Sequence, residues 1–162
     1  MPRGVVIMDP STALVRDYMA AWPGDFDRLS QLRSETFLED WPQSGERIRG
    51  DANYRAIHTN YPGGMPSHQT ERITGAERAS PAGGAWALSP SFTLVHLSGG
   101  AEGTYTVEGL LDYPDGRRFH LVAVLTIADG RVAAQRTYFA EPFAAPEWRS
   151  QWVERVEGND DE

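Results

Sequence analysis

RFHLVAVLTIADGRVAAQRTYFA, residues 118–140, reads as two strands and the turn between them. Apolar residues recur on both sides of Asp129-Gly130, and Asp-Gly supplies the positive φ that a tight hairpin needs. In the first arm Phe119, Leu121, Ala123, Leu125 and Ile127 share one face, while His120, Val122, Val124 and Thr126 share the other. Both faces are largely apolar, a pattern that an antiparallel sheet with one wet face does not show. One face is expected under helices. The other needs a cover, and a homodimer packed sheet to sheet is the economical one. The alternative is that the C-terminal segment carrying Trp148 and Trp152 folds back over it.

Upstream of this hairpin, period-two segments at 68–79, 85–97 and 104–113 are split by turns, including "PDGR" at 114–117. The texture before them is helical. Residues 11–22 open with Ser-Thr and space Leu14, Val15, Tyr18, Met19 and Trp22 along one stripe. A second short helix starts from Asp25, residues 35–41 read as a strand, and "RIRG" reads as its return. A third helix is expected with Asp51 as its cap, Tyr54, Ile57, His58 and Tyr61 as its apolar stripe, and Pro62-Gly63-Gly64 as its end. Helices first and then a meander of antiparallel strands give an α+β architecture, with the helices packed on one face of a curved sheet. At 162 residues one domain is expected over 1–162, its core at about 11–143. A helical tail is expected at 144–157, with Pro146 in its first turn and the acidic end "EGNDDE" frayed.

Composition narrows the chemistry. The chain has no cysteine, which removes disulfides, thiolate nucleophiles and Cys-containing zinc sites. Its formal charge of -8, without a basic run, argues against a nucleic-acid partner. No apolar run approaches a membrane span, and "MPRGVVIMDP" is too short for a secretory apolar region, so a cytoplasmic protein with no membrane partner is expected. His68, His96 and His120 fall on different strands with no acid at ligand spacing, so no metal is expected. No nucleophile elbow, phosphate loop or dinucleotide fingerprint occurs, and "GGAEGTY" at 99–105 precedes a strand and reads as a hairpin loop.

Register decides which polar residues enter the core. A two-residue turn at Asp115-Gly116 sets Glu108 opposite Ala123, on the face of Leu121, whereas a bulge turns Glu108 outward. A three-residue loop closed by Gly130 puts Gln135 and Thr137 inside beside Ala123, whereas a two-residue loop sends Arg136 and Tyr138 inside. The first is preferred, because burying Arg136 without a partner is costly; Glu108 is that partner under the other register.

"FLEDWPQSGERIRG", residues 37–50, sets two acids at the end of an apolar segment. Asp40 reads either as a pocket carboxylate whose pKa is raised by Phe37 and Trp41, or as an acid bonded to the turn at Gln43 to Gly45. Glu39 points the opposite way along a strand and is expected at the surface. Tyr18 reads as a hydroxyl donor to a ligand or as a core aromatic. His58 reads as a proton shuttle to Asp40, a polar lid, or a helix-surface histidine.

The strings "VRDYMAAW", "FLEDWPQSGERIRG", "NYRAIHTNYPG" and "DGRVAAQRTYFAEPF" resemble the nuclear transport factor 2-like superfamily, and within it the SnoaL-like group. The resemblance covers about residues 11–143. It implies a cone in which three helices wrap a bent sheet around an apolar pocket, with dimers through the open sheet face. That superfamily holds isomerases, dehydratases, epoxide hydrolases, cyclases and non-catalytic members. "FLEDWP" is similar to the ketosteroid-isomerase segment that bears the general base, which falls on Asp40, and Tyr18 matches that family's oxyanion-hole tyrosine. The family's second carboxyl falls on Ala123, so its oxyanion hole is incomplete here. The water-activating acid of limonene-type epoxide hydrolases falls on Thr137, which cannot act as that base.

These readings give catalytic candidates Asp40, Tyr18 and His58, and a pocket lined by Trp41, Tyr54, Tyr61, Glu108, Leu121, Ala123, Gln135, Thr137 and Phe139. Two functions follow as expectations. One is a SnoaL-like protein that binds a small apolar, oxygenated molecule, with acid/base chemistry of isomerase, dehydratase or cyclase type and no cofactor. The other is a non-catalytic module that binds a ligand or a partner.

Overall fold

The computed structural model describes residues 10–77, 85–88, 94–97 and 103–156. The acidic end 157–162, the start of the chain and most of the Gly-rich loop at 99–105 lie outside them, as does the His96 side chain. Helix α1 (Pro10–Ala21) buries Val15, Tyr18 and Met19, the stripe its spacing predicts. Helix α2 (Phe26–Leu32) starts where Asp25 accepts a hydrogen bond from the Arg28 N–H at 3.1 Å. Strands β1 (Arg33–Trp41) and β2 (Glu46–Arg49) form a hairpin, and helix α3 (Gly50–Thr59) follows. Asp51 does not cap α3. Arg49 is at the cap position without a side-chain bond, and the Asp51 carboxylate reaches the Arg33 guanidinium at 3.2 Å.

Strands β3 (Ser67–Glu77), β6 (Gly103–Asp112), β7 (Arg118–Ala128) and β8 (Arg131–Ala140) complete a six-stranded sheet of order β2-β1-β8-β7-β6-β3. The expected single strand at 85–97 is two short ones, β4 (Ala85–Leu88) and β5 (Leu94–Leu97), paired in a small sheet of their own. The large sheet is mixed, because β1 lies parallel to β8, while the meander β3, β6, β7 and β8 is antiparallel as expected. The helices lie against one face. That inner face carries Tyr105, Val107, Leu121, Leu125 and Ile127, all essentially sealed from solvent, and each such side chain contributes about 1.5–3 kcal/mol through burial. No helix among the described residues is long and apolar enough to cross a membrane.

Both hairpin loops differ from the expected lengths. Between β6 and β7 the Tyr113 N–H bonds the Arg117 carbonyl at 2.9 Å and the Gly116 N–H bonds the Tyr113 carbonyl at 3.0 Å. The loop is therefore Pro114-Asp115-Gly116, with Gly116 at φ 88°. One extra residue slips the register, so Glu108 pairs with Val122 and faces outward, where it meets Arg72. Glu108 is not an interior acid. Between β7 and β8 the turn is the two-residue Asp129-Gly130, both at positive φ. A bulge between Thr126 and Ile127 of the partner register restores the parity. Gln135 and Thr137 thus point inward and Arg136 outward, as expected, through a bulge instead of a longer loop.

On β6, Gly109 has no room for a side chain, since a Cβ there would meet the Gln69 carbonyl oxygen and the His68 ring. Gly109→Ala is expected to lower unfolding free energy by about 1–3 kcal/mol, read as a fall in the urea midpoint at unchanged slope. An unchanged midpoint would show that β3 yields at no cost.

The tail after β8 is a short 3-10 helix, Glu147–Trp152, in place of the expected α-helix over 144–157. It does not seal the outer sheet face: Trp148 and Trp152 are 71% and 70% exposed.

Candidate functional site

Strand parity reverses the two acids at the end of β1. Glu39 is fully buried and Asp40 lies on the outer side, where Arg47 holds it by a two-point ion pair at 2.6 and 2.9 Å. The physical reason is the sheet itself. β1 is paired on both sides, Phe37 and Glu39 share its inner face, and Asp40 pairs across with Arg47 on β2 and beside Arg136 on β8. The Arg47 hydrogen bond holds the Asp40 carboxyl below the usual carboxylate range. Asp40 is therefore a surface carboxylate, and the expectations of a desolvated Asp40 and a solvated Glu39 are both overturned.

Glu39 sits in a buried polar chain. Its Oε1 accepts hydrogen bonds from Thr137 Oγ1 at 2.6 Å, Trp41 Nε1 at 3.0 Å and Gln135 Nε2 at 3.2 Å. Its Oε2 is buried without a partner. Burial raises the Glu39 pKa, and the bonds from Thr137 and Trp41, with the field of Arg33, offset that only in part. Gln135 turns its Oε1 to the Tyr18 hydroxyl, which donates to it at 2.7 Å. Tyr18 in turn accepts from Arg33 Nε at 3.1 Å and Nη2 at 2.8 Å. Arg33 lies between the rings of Phe37 and Tyr54, its guanidinium carbon 4.0 and 3.8 Å from their centroids. Burial pushes the Tyr18 phenol well above its ordinary pKa. Tyr18 is thus a core aromatic with a satisfied hydroxyl, committed to this network.

The cavity lies above that layer, between α3, the end of β1 and the β6–β7 loop. Its volume is about 310 Å³. Trp22, Trp41, Tyr61, Tyr113, Phe119 and Phe139 supply its aromatic wall, and Arg117 is its one charged lining residue. Of the expected lining residues, Trp41, Tyr61 and Phe139 border it. Tyr54, Leu121, Ala123, Gln135 and Thr137 are buried in the core beneath and do not line it, and Glu108 is outside altogether. Neither Asp40 nor Glu39 is on the wall.

His58 does line the cavity. Its ring stacks on Tyr54 at 3.9 Å and meets the edge of Trp41, so it is only 6% exposed and not a surface histidine. Nδ1 lies 2.8 Å from the Tyr54 carbonyl oxygen, which can only accept, so Nδ1 carries the proton. Burial lowers the His58 pKa. At neutral pH the ring is uncharged and Nε2 presents a lone pair without a protein partner. Asp40 faces away, and a shuttle between the two is not built.

Periodicity missed Arg33 and Glu39. A cue for Glu39 was the spacing from Phe37, which places both on one strand face. Arg33 gave no cue, because a cation at a helix-to-strand junction reads as solvated. Among the described residues no three His, Asp or Glu side chains group to hold a metal.

No family model and no curated protein matches the chain. Solved structures do. It is similar to a nuclear transport factor 2-like protein of unknown function from Burkholderia xenovorans, at 28% identity and TM-score 0.64, over 91% of this chain and 95% of that one. A candidate ketosteroid isomerase from Kribbella flavida is 24% identical at TM-score 0.66, over 94% of each chain. An epoxide hydrolase from M. tuberculosis is 17% identical at TM-score 0.50, over 80% of this chain and 82% of that one.

Proposed function

Because this chain has the nuclear transport factor 2-like fold, we propose that it binds one small, largely apolar, oxygenated molecule in the aromatic cavity, with His58 as the polar anchor. The observation that carries this reading is the 310 Å³ cavity, whose six aromatic walls meet a neutral imidazole with an unused lone pair. A volume near 300 Å³ suits a small ligand, and a few placed polar groups in an apolar wall fix its orientation. A hydroxyl or enolisable C–H on the ligand would face Nε2.

A second reading is favoured by the same nitrogen. An uncharged, desolvated imidazole is a competent general base, so the site would take a proton from a carbon beside a carbonyl, with no cofactor. In either reading the deep carboxylate Glu39 supports the wall through Trp41.

The test is a titration with cyclic ketones, lactones and phenols, read by tryptophan emission, since Trp22 and Trp41 border the cavity. Saturable quenching is expected, weakened about tenfold or more by His58→Ala, the loss of one buried hydrogen bond. Protonating Nε2 removes the acceptor. Because the His58 pKa is depressed, affinity should stay level from pH 8 down to about 6.5, the ordinary histidine value, and fall only below it. No saturable binding by any compound would overturn the proposal, and binding indifferent to His58 would remove the anchor. Proton exchange at the α-carbon, lost in His58→Gln, would select the catalytic reading.

A further inference from the structure

The cavity wall carries a second polar feature besides His58. Tyr61, just past the end of α3, and Tyr113, the residue before the Pro114-Asp115-Gly116 loop, both line it, and their hydroxyls meet at 3.2 Å. Two phenols hold two protons, and their mutual bond uses one. Neither hydroxyl has another hydrogen-bond partner among the described residues, so one O–H of the pair remains to be given. Burial, and then the bond to Tyr61, pushes the Tyr113 phenol well above its ordinary pKa, so it keeps its proton at neutral pH. The Tyr61 N–H bonds the His58 carbonyl oxygen at 3.4 Å, and this turn brings both side chains to the cavity. The wall thus holds one unused acceptor, His58 Nε2, and one unused donor, the tyrosine pair.

The rim is balanced in charge. Arg117 packs over the rings of Tyr113 and Phe119, its guanidinium carbon 5.4 and 5.7 Å from their centroids. Its Nε donates to the Asp115 carboxylate at 2.8 Å, and Glu141 adds a second negative field. An anionic ligand would find no uncompensated cation here, on a chain whose formal charge is already -8. Burying a carboxylate against an apolar wall without one is costly.

We propose that the Tyr61–Tyr113 pair is the second anchor of the cavity, and that the ligand is an uncharged hydroxy-carbonyl compound. Its carbonyl oxygen accepts the spare phenolic proton while its hydroxyl donates to His58 Nε2. This rests on the aromatic-cavity reading and narrows it from any oxygenated molecule to one that carries both functions. At the ~30 Å³ share of a water, a volume of about 310 Å³ holds about ten non-hydrogen atoms. A single ring bearing a hydroxyl and an acetyl group is of that size. The two tyrosines set specificity, because a ligand lacking either function leaves a buried donor or acceptor unpaired.

The experiment is isothermal titration calorimetry at neutral pH with the ortho, meta and para hydroxyacetophenones, against acetophenone, ethylphenol and hydroxybenzoate. The best-fitting hydroxyacetophenone should bind about tenfold more tightly than acetophenone, which lacks the donor, and than ethylphenol, which lacks the acceptor. Hydroxybenzoate, being charged, should bind weakest. Tyr61→Phe and Tyr113→Phe each leave one phenolic proton, so each should keep the ketone's advantage within about threefold. Their combination removes both protons and should erase that advantage, with the affinity for ethylphenol unchanged; a merely structural pair would lower both together. A hydroxyacetophenone that binds no better than ethylphenol, a double variant that keeps the advantage, or tighter binding of hydroxybenzoate would each sink this proposal and leave the His58-dependent binding of phenols standing. If none of the compounds binds, the cavity reading itself falls and takes this one with it.

Discussion

Arg33→Ala is expected to lower unfolding free energy by about 3–5 kcal/mol, a large share of the stability of a domain this size. The side chain is 1% exposed, so solvent does not screen what it does. Three of its contacts vanish together: the two donors to the Tyr18 hydroxyl, the ion pair to Asp51, and the stacking between Phe37 and Tyr54. Tyr18 then bonds only Gln135, and a slot opens between two rings. Arg33→Lys keeps the charge but loses the planar fork and the stacking, so it should recover no more than about half of the loss. Urea unfolding of the three proteins reads this directly. A loss under about 1 kcal/mol in the alanine variant is what a surface arginine would give, and it would show that the network closes without its cation.

Glu39→Ala should cost about 2–4 kcal/mol, because Thr137, Trp41 and Gln135 each lose a buried acceptor and an unsatisfied buried donor costs about 1–3 kcal/mol. Asp40→Ala, one residue along, should leave the unfolding midpoint nearly unmoved, since its ion pair with Arg47 is in water. Ligand affinity should likewise ignore Asp40. The pH dependence separates the two acids further. The folded-state pKa of Glu39 lies above its unfolded value, so its contribution is fully present below about pH 4.3 and is lost as pH rises through the folded pKa. Glu39→Gln has no such titration. The stability of wild type minus that of Glu39→Gln should therefore fall with rising pH from about 4.3 upward and then level off. A flat difference would mean that Glu39 ionises as freely in the fold as out of it.

The elements were legible because their signals are local. The stripe Val15, Tyr18, Met19 gives α1, Asp25 caps α2, and Asp129-Gly130 turns β7 into β8. The cavity was half legible: Trp41, Tyr61 and Phe139 were expected on its wall and border it, and His58, expected as a catalytic candidate, borders it too. What failed was parity. Whether Glu39 or Asp40 enters the core depends on which face of β1 the helices cover, and beside two adjacent acids the only cue was Phe37, two residues before Glu39 and on its face. The inner position of Gln135 depended on a bulge, and the outer position of Glu108 on one added loop residue. A single inserted residue flips a whole strand, and the sequence pattern of these apolar strands tolerates either face. Tyr54, Leu121 and Ala123 were placed on the cavity because a cone was expected to be hollow throughout. Here the Arg33–Tyr18–Gln135–Glu39 chain and its apolar neighbours fill the depth and leave only the upper part open.

The parallel pairing of β1 with β8 sets a timetable for the nascent chain. β8 lies between β7 and β1, so the β1–β2 hairpin has no sheet to join until β8, the last strand of the sheet in chain order, has been made. During synthesis the three helices and the β1–β2 hairpin wait with the other edge of β1 unpaired, while β3, β6 and β7 can already zip along one another. Closure is a late, long-range event, slow by nature because the joined segments are about a hundred residues apart in sequence. A ribosome-bound chain stopped before Arg131 would be a sheet in two pieces, open to chaperones at the edge that β8 later fills.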